Sequence, residues 1–275
     1  MAAAALRVPS VLWEGNVIPG KSARFVARMA SAVAVSHPAT IAGLGIPAGR
    51  AFVTGTPIRR VDTVDREAAR RRFGIPPGDR VLLVFGGSQA VRRFNAAVAE
   101  ALPELVARVH VIHVTGESGY APALARKGAL PEAVRGRYQP FPFLRDEMTD
   151  ALAAADLAVG RAGASTLAEA AAFGLPLAIV PYPHAAGHQV ANAAAHIEAG
   201  AGVLIEDADF DAAALLRIAD ILADPARHAA MSAAARELAR PGAADAVADL
   251  VLAAAARRAF PDQAAIDRRA RGATA

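Results

Sequence analysis

Three turns hold the residues of this 275-residue chain whose types and spacing can do chemistry. The first is Gly86-Gly87-Ser88-Gln89, set between an apolar run at 81–85 and a helical stretch. Glycines let backbone N–H groups approach a phosphate closely, and a helix start adds partial positive charge and unpaired donors. Ser88 either gives a hydroxyl hydrogen bond to that phosphate or acts as the helix N-cap. The turn is neither GxGxxG nor GxxxxGKS/T, which argues against a dinucleotide or ATP. The second turn runs from Gly160 through Arg161 and Thr166 to Glu169. Thr166 and Glu169 have the T-x-x-E spacing of a capping box, or else Glu169 presents its carboxylate to the vicinal diol of a ribose. Arg161 then balances phosphate charge or pairs with a carboxylate. The third is VPYPH at 180–184, followed by His188, Gln189 and Asn192. Gln189 and Asn192 share a helix face, where they hydrogen-bond sugar hydroxyls or simply solvate the surface. His184 and His188, taken singly, read as polar surface residues.

The elements that position these turns are short. Apolar runs at 9–13, 32–36, 51–54, 81–85, 109–114, 157–160, 177–180 and 203–205 predict strands, most of them continuous rather than alternating. That pattern belongs to strands buried on both faces, as in a parallel sheet covered by helices. Helical stretches at 91–102, 166–173 and 188–199 lie between them, so the chain reads as a doubly wound α/β fold. All three turns follow strands and therefore converge on the carboxyl edge of the sheet, where such folds bind ligands. A phosphate turn, a diol-binding acid and amide side chains together point to a nucleotide-sugar. The first three strands are too few for a stable sheet by themselves. Residues 261–275 are charged and are expected to fray.

Composition narrows the class further. Hydrophobic residues make up 54% and charged residues 20%, a globular balance that excludes a disordered chain. The net charge of +4 is carried by arginine, Lys21 and Lys127 being the only lysines. Arginine suits bidentate contacts to phosphate or an anionic membrane face, although a GC-rich genome gives the same bias. No basic, aromatic-rich run of the nucleic-acid type occurs, so no nucleic-acid partner is expected. With no cysteine, disulfides and thiol chemistry are excluded. Neither a DxD pair, an HExxH motif nor a Cys/His cluster suggests a metal. No apolar stretch reaches the roughly 20 residues that span a bilayer.

Across nearly its whole length the sequence resembles the MurG family, bacterial transferases that add N-acetylglucosamine to lipid I in peptidoglycan synthesis. The segments are VLWEGNVIPGKSARFVARMASAVAVS (11–36), VTGTPIR (53–59), LLVFGGSQA (82–90), HVTG (113–116), FLRDEM (143–148), RAGASTLAEAAAFGLPLAIVPYPHAAGHQVANA (161–193) and EAGAGVLI (198–205). The resemblance implies a GT-B fold, two Rossmann-like domains with the active site between them. By matching positions it places Arg59 and Ser88 on the diphosphate of UDP-N-acetylglucosamine and Leu144 beside the uracil. Thr166 faces the donor near the phosphates, Glu169 holds the ribose hydroxyls, and Gln189 with His188 reads the sugar. Asn16, matching the asparagine of the family's HEQN stretch, approaches the N-acetyl group from the first domain. The histidine and glutamine of that stretch are Trp13 and Gly15 here.

The resemblance also implies a division into residues 1–50, the end of the acceptor domain, 51–240, the UDP-sugar-binding domain, and 241–275, a C-terminal helix and tail. The family's GGTGGH loop has no counterpart, so about one small domain's worth of the acceptor half is expected to be absent. The implied reaction is inverting transfer from UDP-N-acetylglucosamine to lipid I. No cofactor or metal is implied, and the catalytic residue is unassigned. The implied location is the cytoplasmic face of the membrane, held peripherally on anionic lipid. A helix near 21–29 alternates Lys21, Arg24 and Arg28 with Phe25, Val26 and Met29, a pattern that lies on lipid or packs on a sheet. Two alternatives stand beside this: a donor-binding half of a two-chain transferase, and a UDP-N-acetylglucosamine 2-epimerase of the same architecture.

Overall fold

Runs of three to five apolar residues become strands here because helices cover both of their faces. The computed structural model describes residues 2–61, 63–86, 91–183 and 187–272. The chain begins α1 (Ala2–Ala5), β1 (Val11–Glu14), α2 (Lys21–Ala27), β2 (Ala32–Val35), α3 (Ala39–Leu44), β3 (Ala51–Val53). It continues α4 (Arg66–Arg72), β4 (Val81–Phe85), α5 (Val91–Arg108), β5 (His110–Val114), α6 (Glu117–Ala129), α7 (Glu132–Arg135), β6 (Tyr138–Phe141). Next come α8 (Glu147–Ala154), β7 (Leu157–Gly160), α9 (Ala164–Ala172), β8 (Leu177–Ile179), α10 (His188–Glu198) and β9 (Gly202–Leu204). It ends with α11 (Ala212–Ala219), α12 (Pro225–Glu237), α13 (Ala243–Ala255) and α14 (Gln263–Ala270).

The strands form two parallel sheets, β1-β2-β3 and β6-β5-β4-β7-β8-β9. In the larger sheet β4 to β6 run outward one way and β7 to β9 the other, so strand order reverses between β4 and β7. That switch point opens a crevice at the carboxyl ends of exactly the two strands that the glycine turns follow, the place where open α/β sheets take ligands. Alternate strand residues feed different cores. Leu82, Val84, Leu157 and Val159 pack with α5 and α11 through Phe94, Leu105, Leu215 and Ile218. Val81, Leu83, Ala158 and Leu177 pack with α8 and α9 through Leu152, Leu167 and Ala170. Two-sided burial explains why these strands read as unbroken apolar runs.

The small sheet is built the same way. Val33, Val35 and Val53 face Ala27 of α2 and Leu44 of α3. Ala32, Ala34 and Phe52 face Ala246, Leu250, Ile266 and Ala270 of α13 and α14. The strand at 51–53 thus completes the small sheet, and the chain returns at its end to cover it. Residues 263–270, expected to fray, are a helix with Ile266 and Ala270 buried. The Gln263 side chain accepts from Val53 N at 2.9 Å and donates to Val53 O at 3.1 Å, sealing the open edge of β3. Gly242 allows this return, since a Cβ there would lie 2.1 Å from Arg269 O.

Strand β6 has no counterpart among the predicted strands, because Pro140 removes a donor from its middle. The strand is at the sheet edge, paired only with β5, where a missing N–H is tolerated. On the rim away from the turns, buried Asp156 ties α4 to the starts of β4 and β7. It accepts from Arg66 at 2.8 Å, Arg70 at 2.7 Å and Val81 N at 2.8 Å. Arg70 is itself buried. Asp156→Ala would strand that cation and a backbone donor in the interior, at a cost of about 3–5 kcal/mol. Urea unfolding monitored by circular dichroism is expected to show a loss of that size, and a change within error of zero would contradict the account.

Candidate functional site

The helix that follows β7 starts three residues earlier than its T-x-x-E spacing predicts. Gly163 is the N-cap of α9 and no side chain caps its first turn. The expected capping box of Thr166 and Glu169 therefore does not form. The glycine and alanine at its start let the helix begin at once, which moves Thr166 into the helix and leaves both polar side chains for other work. Three positions apart, Thr166 and Glu169 lie on one face of α9. The other face, through Ala164, Ala168 and Ala171, turns to a separate cavity of about 260 Å³ between the two sheets, lined also by Ser36, Thr56 and Arg240.

Glu169 lines a cavity of about 460 Å³ with Arg59, Phe143, Leu144, Asp146 and Met148. Three of the expected site residues, Arg59, Leu144 and Glu169, thus share one space. Leu144 is buried and gives an apolar wall, while Phe143 is 63% exposed at the rim. Burial pushes the Glu169 carboxyl above its usual range, and the nearby Arg59 guanidinium opposes the rise. Arg59 donates to Asp146 at 2.8 Å, both side chains being exposed, so the pair is weak and Arg59 can exchange it for a ligand phosphate. The cavity offers an apolar wall for a flat base, a carboxylate for hydroxyl donors and a cation for phosphate. Phe143, Asp146 and Met148 were not singled out individually in the sequence; their signal was the FLRDEM segment that contains them.

The remaining amide and imidazole groups meet at the start of α10. Gln189 Oε1 accepts from Tyr182 N at 2.8 Å and Ala162 N at 3.2 Å, bracing the exits of β8 and β7 against each other. Its amide nitrogen is left to donate to a ligand. Asn192 is spent otherwise than on sugar hydroxyls. Its Nδ2 donates to Ala162 O at 3.2 Å and to Asn16 Oδ1 at 3.0 Å, and its Oδ1 accepts from Val17 N at 2.9 Å. His188 Nδ1 lies 2.9 Å from Ile18 O. The loop after β1, with Asn16 held by Glu14 at 3.1 Å, is thereby fastened to the larger sheet's rim.

Arg161 takes the second of its two expected roles. It is buried and donates to Asp207 Oδ1 at 2.6 Å and to the carbonyls of Val180 and Pro181 at 3.0 and 3.2 Å. It supports the rim from below and does not face the cavity around Glu169. Ser88, with Gly87 and Gln89 of its turn, and His184 lie outside the described residues.

Comparison with known proteins gives the family. Residues 81–250 match the glycosyltransferase family 28 C-terminal domain. The chain is 41% identical over 268 residues to the UDP-N-acetylglucosamine--N-acetylmuramyl-(pentapeptide) pyrophosphoryl-undecaprenol N-acetylglucosamine transferase of Frankia casuarinae, covering 94% of this chain and 69% of that one. The crystal structure of Acinetobacter baumannii MurG matches with a TM-score of 0.70 and 27% identity, over 91% of this chain and 69% of that one. A UDP-N-acetylglucosamine 2-epimerase from Listeria monocytogenes matches with a TM-score of 0.66 at 17% identity, over 87% and 63% of the two chains, a likeness of fold alone.

An ionised Glu169 offers hydroxyl donors two charged acceptor oxygens, stronger partners than a protonated carboxyl. Because its pKa is raised, uridine affinity is expected to fall on acidification at a higher pH than an ordinary carboxylate would cause. Glu169→Gln is expected to weaken uridine binding by about tenfold or more and to flatten that pH profile. The stability effect has the opposite sign. A carboxyl whose folded pKa is raised favours folding while protonated, and that contribution is lost as pH rises through the folded pKa. E169Q is therefore expected to melt above the wild type near neutral pH, the gap closing in acid; scanning fluorimetry across pH reads this, and a parallel pair of curves would contradict it.

Proposed function

The chain belongs to the family 28 glycosyltransferases and, within them, to the MurG transferases, and from that premise we propose that it holds UDP-N-acetylglucosamine for transfer to lipid I. The observation that carries this is the shared cavity of Glu169, Arg59 and Leu144 beside the uncapped start of α9. Uracil lies against Leu144, the ribose hydroxyls donate to Glu169, and the diphosphate sits between Arg59 and the two glycine turns, with Ser88 and Thr166 as hydroxyl donors. The sugar extends toward Gln189, His188 and Asn16. In the transfer, the acceptor hydroxyl attacks the anomeric carbon and the bond from that carbon to UDP breaks. UDP leaves with the electron pair, inverting the centre, and the hydroxyl proton passes to a base that no described residue is assigned to be. Arg59 and the helix start would neutralise charge as it builds on the departing diphosphate.

In this reading the expected boundary at residue 51 moves past β3, which pairs with β2 in the small sheet: 1–53 belong to the acceptor side, the donor domain runs from 54 to 240, and 241–275 form the helices that return to the small sheet. Acceptor contacts come from the acceptor side and from the membrane. Helix α2 supports a peripheral membrane site, since Lys21, Arg24 and Arg28 are exposed beside Phe25 at 51% and Val26 at 40%. No helix among the described residues is long and apolar enough to cross a membrane.

One observation favours the two-chain reading as a second possibility. Among the described residues β1 pairs only with β2, and Trp13 of β1 and Leu6 and Val8 just before it in the chain are exposed. A separate subunit could extend that sheet and complete the acceptor half. The epimerase reading has only a likeness of fold behind it.

Isothermal titration with UDP-N-acetylglucosamine is expected to give a Kd in the range of about 1 µM to 1 mM, and no UDP-dependent heat would sink the donor reading. Product formed from lipid I by this chain alone would exclude the two-chain reading. For the membrane, sedimentation with phosphatidylglycerol vesicles is expected to exceed that with neutral vesicles. Each of Arg24→Ser and Arg28→Ser should weaken it by about 1 kcal/mol; equal binding to both vesicle types would remove the anionic surface as a partner.

A further inference from the structure

The group that the cavity itself does not use is Arg161. Its guanidinium is 8% exposed, yet it lies one residue past the end of β7, on the rim where the ligand turns converge. Three separate segments meet on it. Its NH1 donates to Val180 O and Pro181 O at the exit of β8. The same nitrogen donates to Asp207 of the 3-10 turn Asp207–Asp209, which follows β9. The other oxygen of Asp207 takes Arg93 Nε at 3.1 Å, and Arg93 NH1 also reaches Ala208 O at 3.3 Å. Arg93 is the third residue of α5, the helix that follows the GGSQ turn. Arg161 also lies over two rings, its Cζ 4.7 Å from the centroid of Phe94 and 5.5 Å from that of Tyr182. Phe94 in turn packs on Phe210 with centroids 4.8 Å apart.

This is an expensive arrangement for stability alone. A buried cation must recover its lost hydration, and a well-packed apolar residue of the same volume often serves a core equally well. What the cation supplies is direction. A planar guanidinium held over two rings donates to carbonyls and a carboxylate only along fixed lines, and the carboxylate of Asp207 passes that alignment to Arg93. The start of α5 and the exits of β7 and β8 are thereby locked to one another from behind. The N–H groups at the starts of α5 and α9 would face a diphosphate, whereas the nucleoside end of the cavity rests on Leu144, Glu169 and Arg59, which lie outside the contacts of this network.

We propose that Arg161 is a positioning residue for the diphosphate, acting through Asp207 and Arg93 to hold the start of α5 in register with the turn after β7. The proposal rests on the donor reading above and divides the site into a phosphate end that depends on Arg161 and a nucleoside end that does not.

The two ends can be read separately by titrating uridine and UDP into the wild type, Arg161→Met and Asp207→Asn. Met keeps an unbranched apolar stem but removes the fork and its charge. Asp207→Asn leaves Arg161 on its two carbonyls and removes the charge through which residue 207 joins it to Arg93, so it serves if R161M does not fold. The wild type is expected to prefer UDP over uridine, and each variant to lose about tenfold of that preference with uridine affinity unchanged within twofold. A merely structural role would lower both affinities together or only the melting temperature, and an unchanged UDP-to-uridine ratio in both variants overturns the proposal. A wild type that binds uridine and UDP equally would instead defeat the diphosphate reading itself, and this inference with it.

Discussion

Every strand in both sheets runs parallel to its neighbours, and most of what the molecule can do descends from that constraint. Parallel strands cannot be joined by tight hairpins, so each is followed by a crossover, usually a helix, that packs back on the sheet. The polar turns leaving the strands then gather on one rim, and both sheet faces must be apolar. The reversal of strand order between β4 and β7 parts two of those turns and makes a crevice. A glycine N-cap at α9 leaves the helix start open in that crevice, with no side chain occupying its donors. Phosphate affinity at such a rim is therefore a property of the backbone first and of side chains second.

The side chains divide into those that line the cavity and those that hold the rim still. Glu169, Arg59 and Leu144 face an open space. Arg161, Asn192 and the carbonyl oxygen of Gln189 are occupied with backbone, and the first two also with Asp207 and Asn16. The amides are well suited to the second task, because one neutral group both donates and accepts and carries no net charge to desolvate. Asn192 uses both ends of its amide to join the loop after β1 to the exit of β7, so the two sheets meet at the site through hydrogen bonds rather than through ion pairs. On the far rim the balance differs. There Asp156 gathers arginines into a buried ion-pair cluster, with rigidity but no opening for a ligand.

The strands were legible because two-sided burial writes itself into sequence as unbroken apolar runs, and Val81–Phe85 and Leu157–Gly160 match their predicted bounds. Strand β6 was not, since Pro140 reads as a breaker until one knows that its strand lies on an edge. Nor was α14, whose charged sequence conceals Ile266 and Ala270, two small apolar contacts that acquire meaning only when the small sheet is beneath them. Among site residues, Glu169 was legible as a carboxylate at a helix start, but the same spacing equally described a capping box. Only the position of the N-cap at Gly163 separated the two.

By itself, then, the sequence determined the kinds of groups and their order: glycine turns after apolar strands, an acid at a helix start, amides three apart. Local periodicity and residue chemistry suffice for that, and the family resemblance rests on the same ordered segments. The tertiary structure decided which of those groups are free. Whether Arg161 meets a phosphate or a carboxylate depends on Asp207, 46 positions later in the chain, and whether Asn192 meets a sugar or a backbone depends on Asn16, 176 positions earlier. Contacts at such separations are set by how helices and sheets pack, and no local pattern in the chain encodes them.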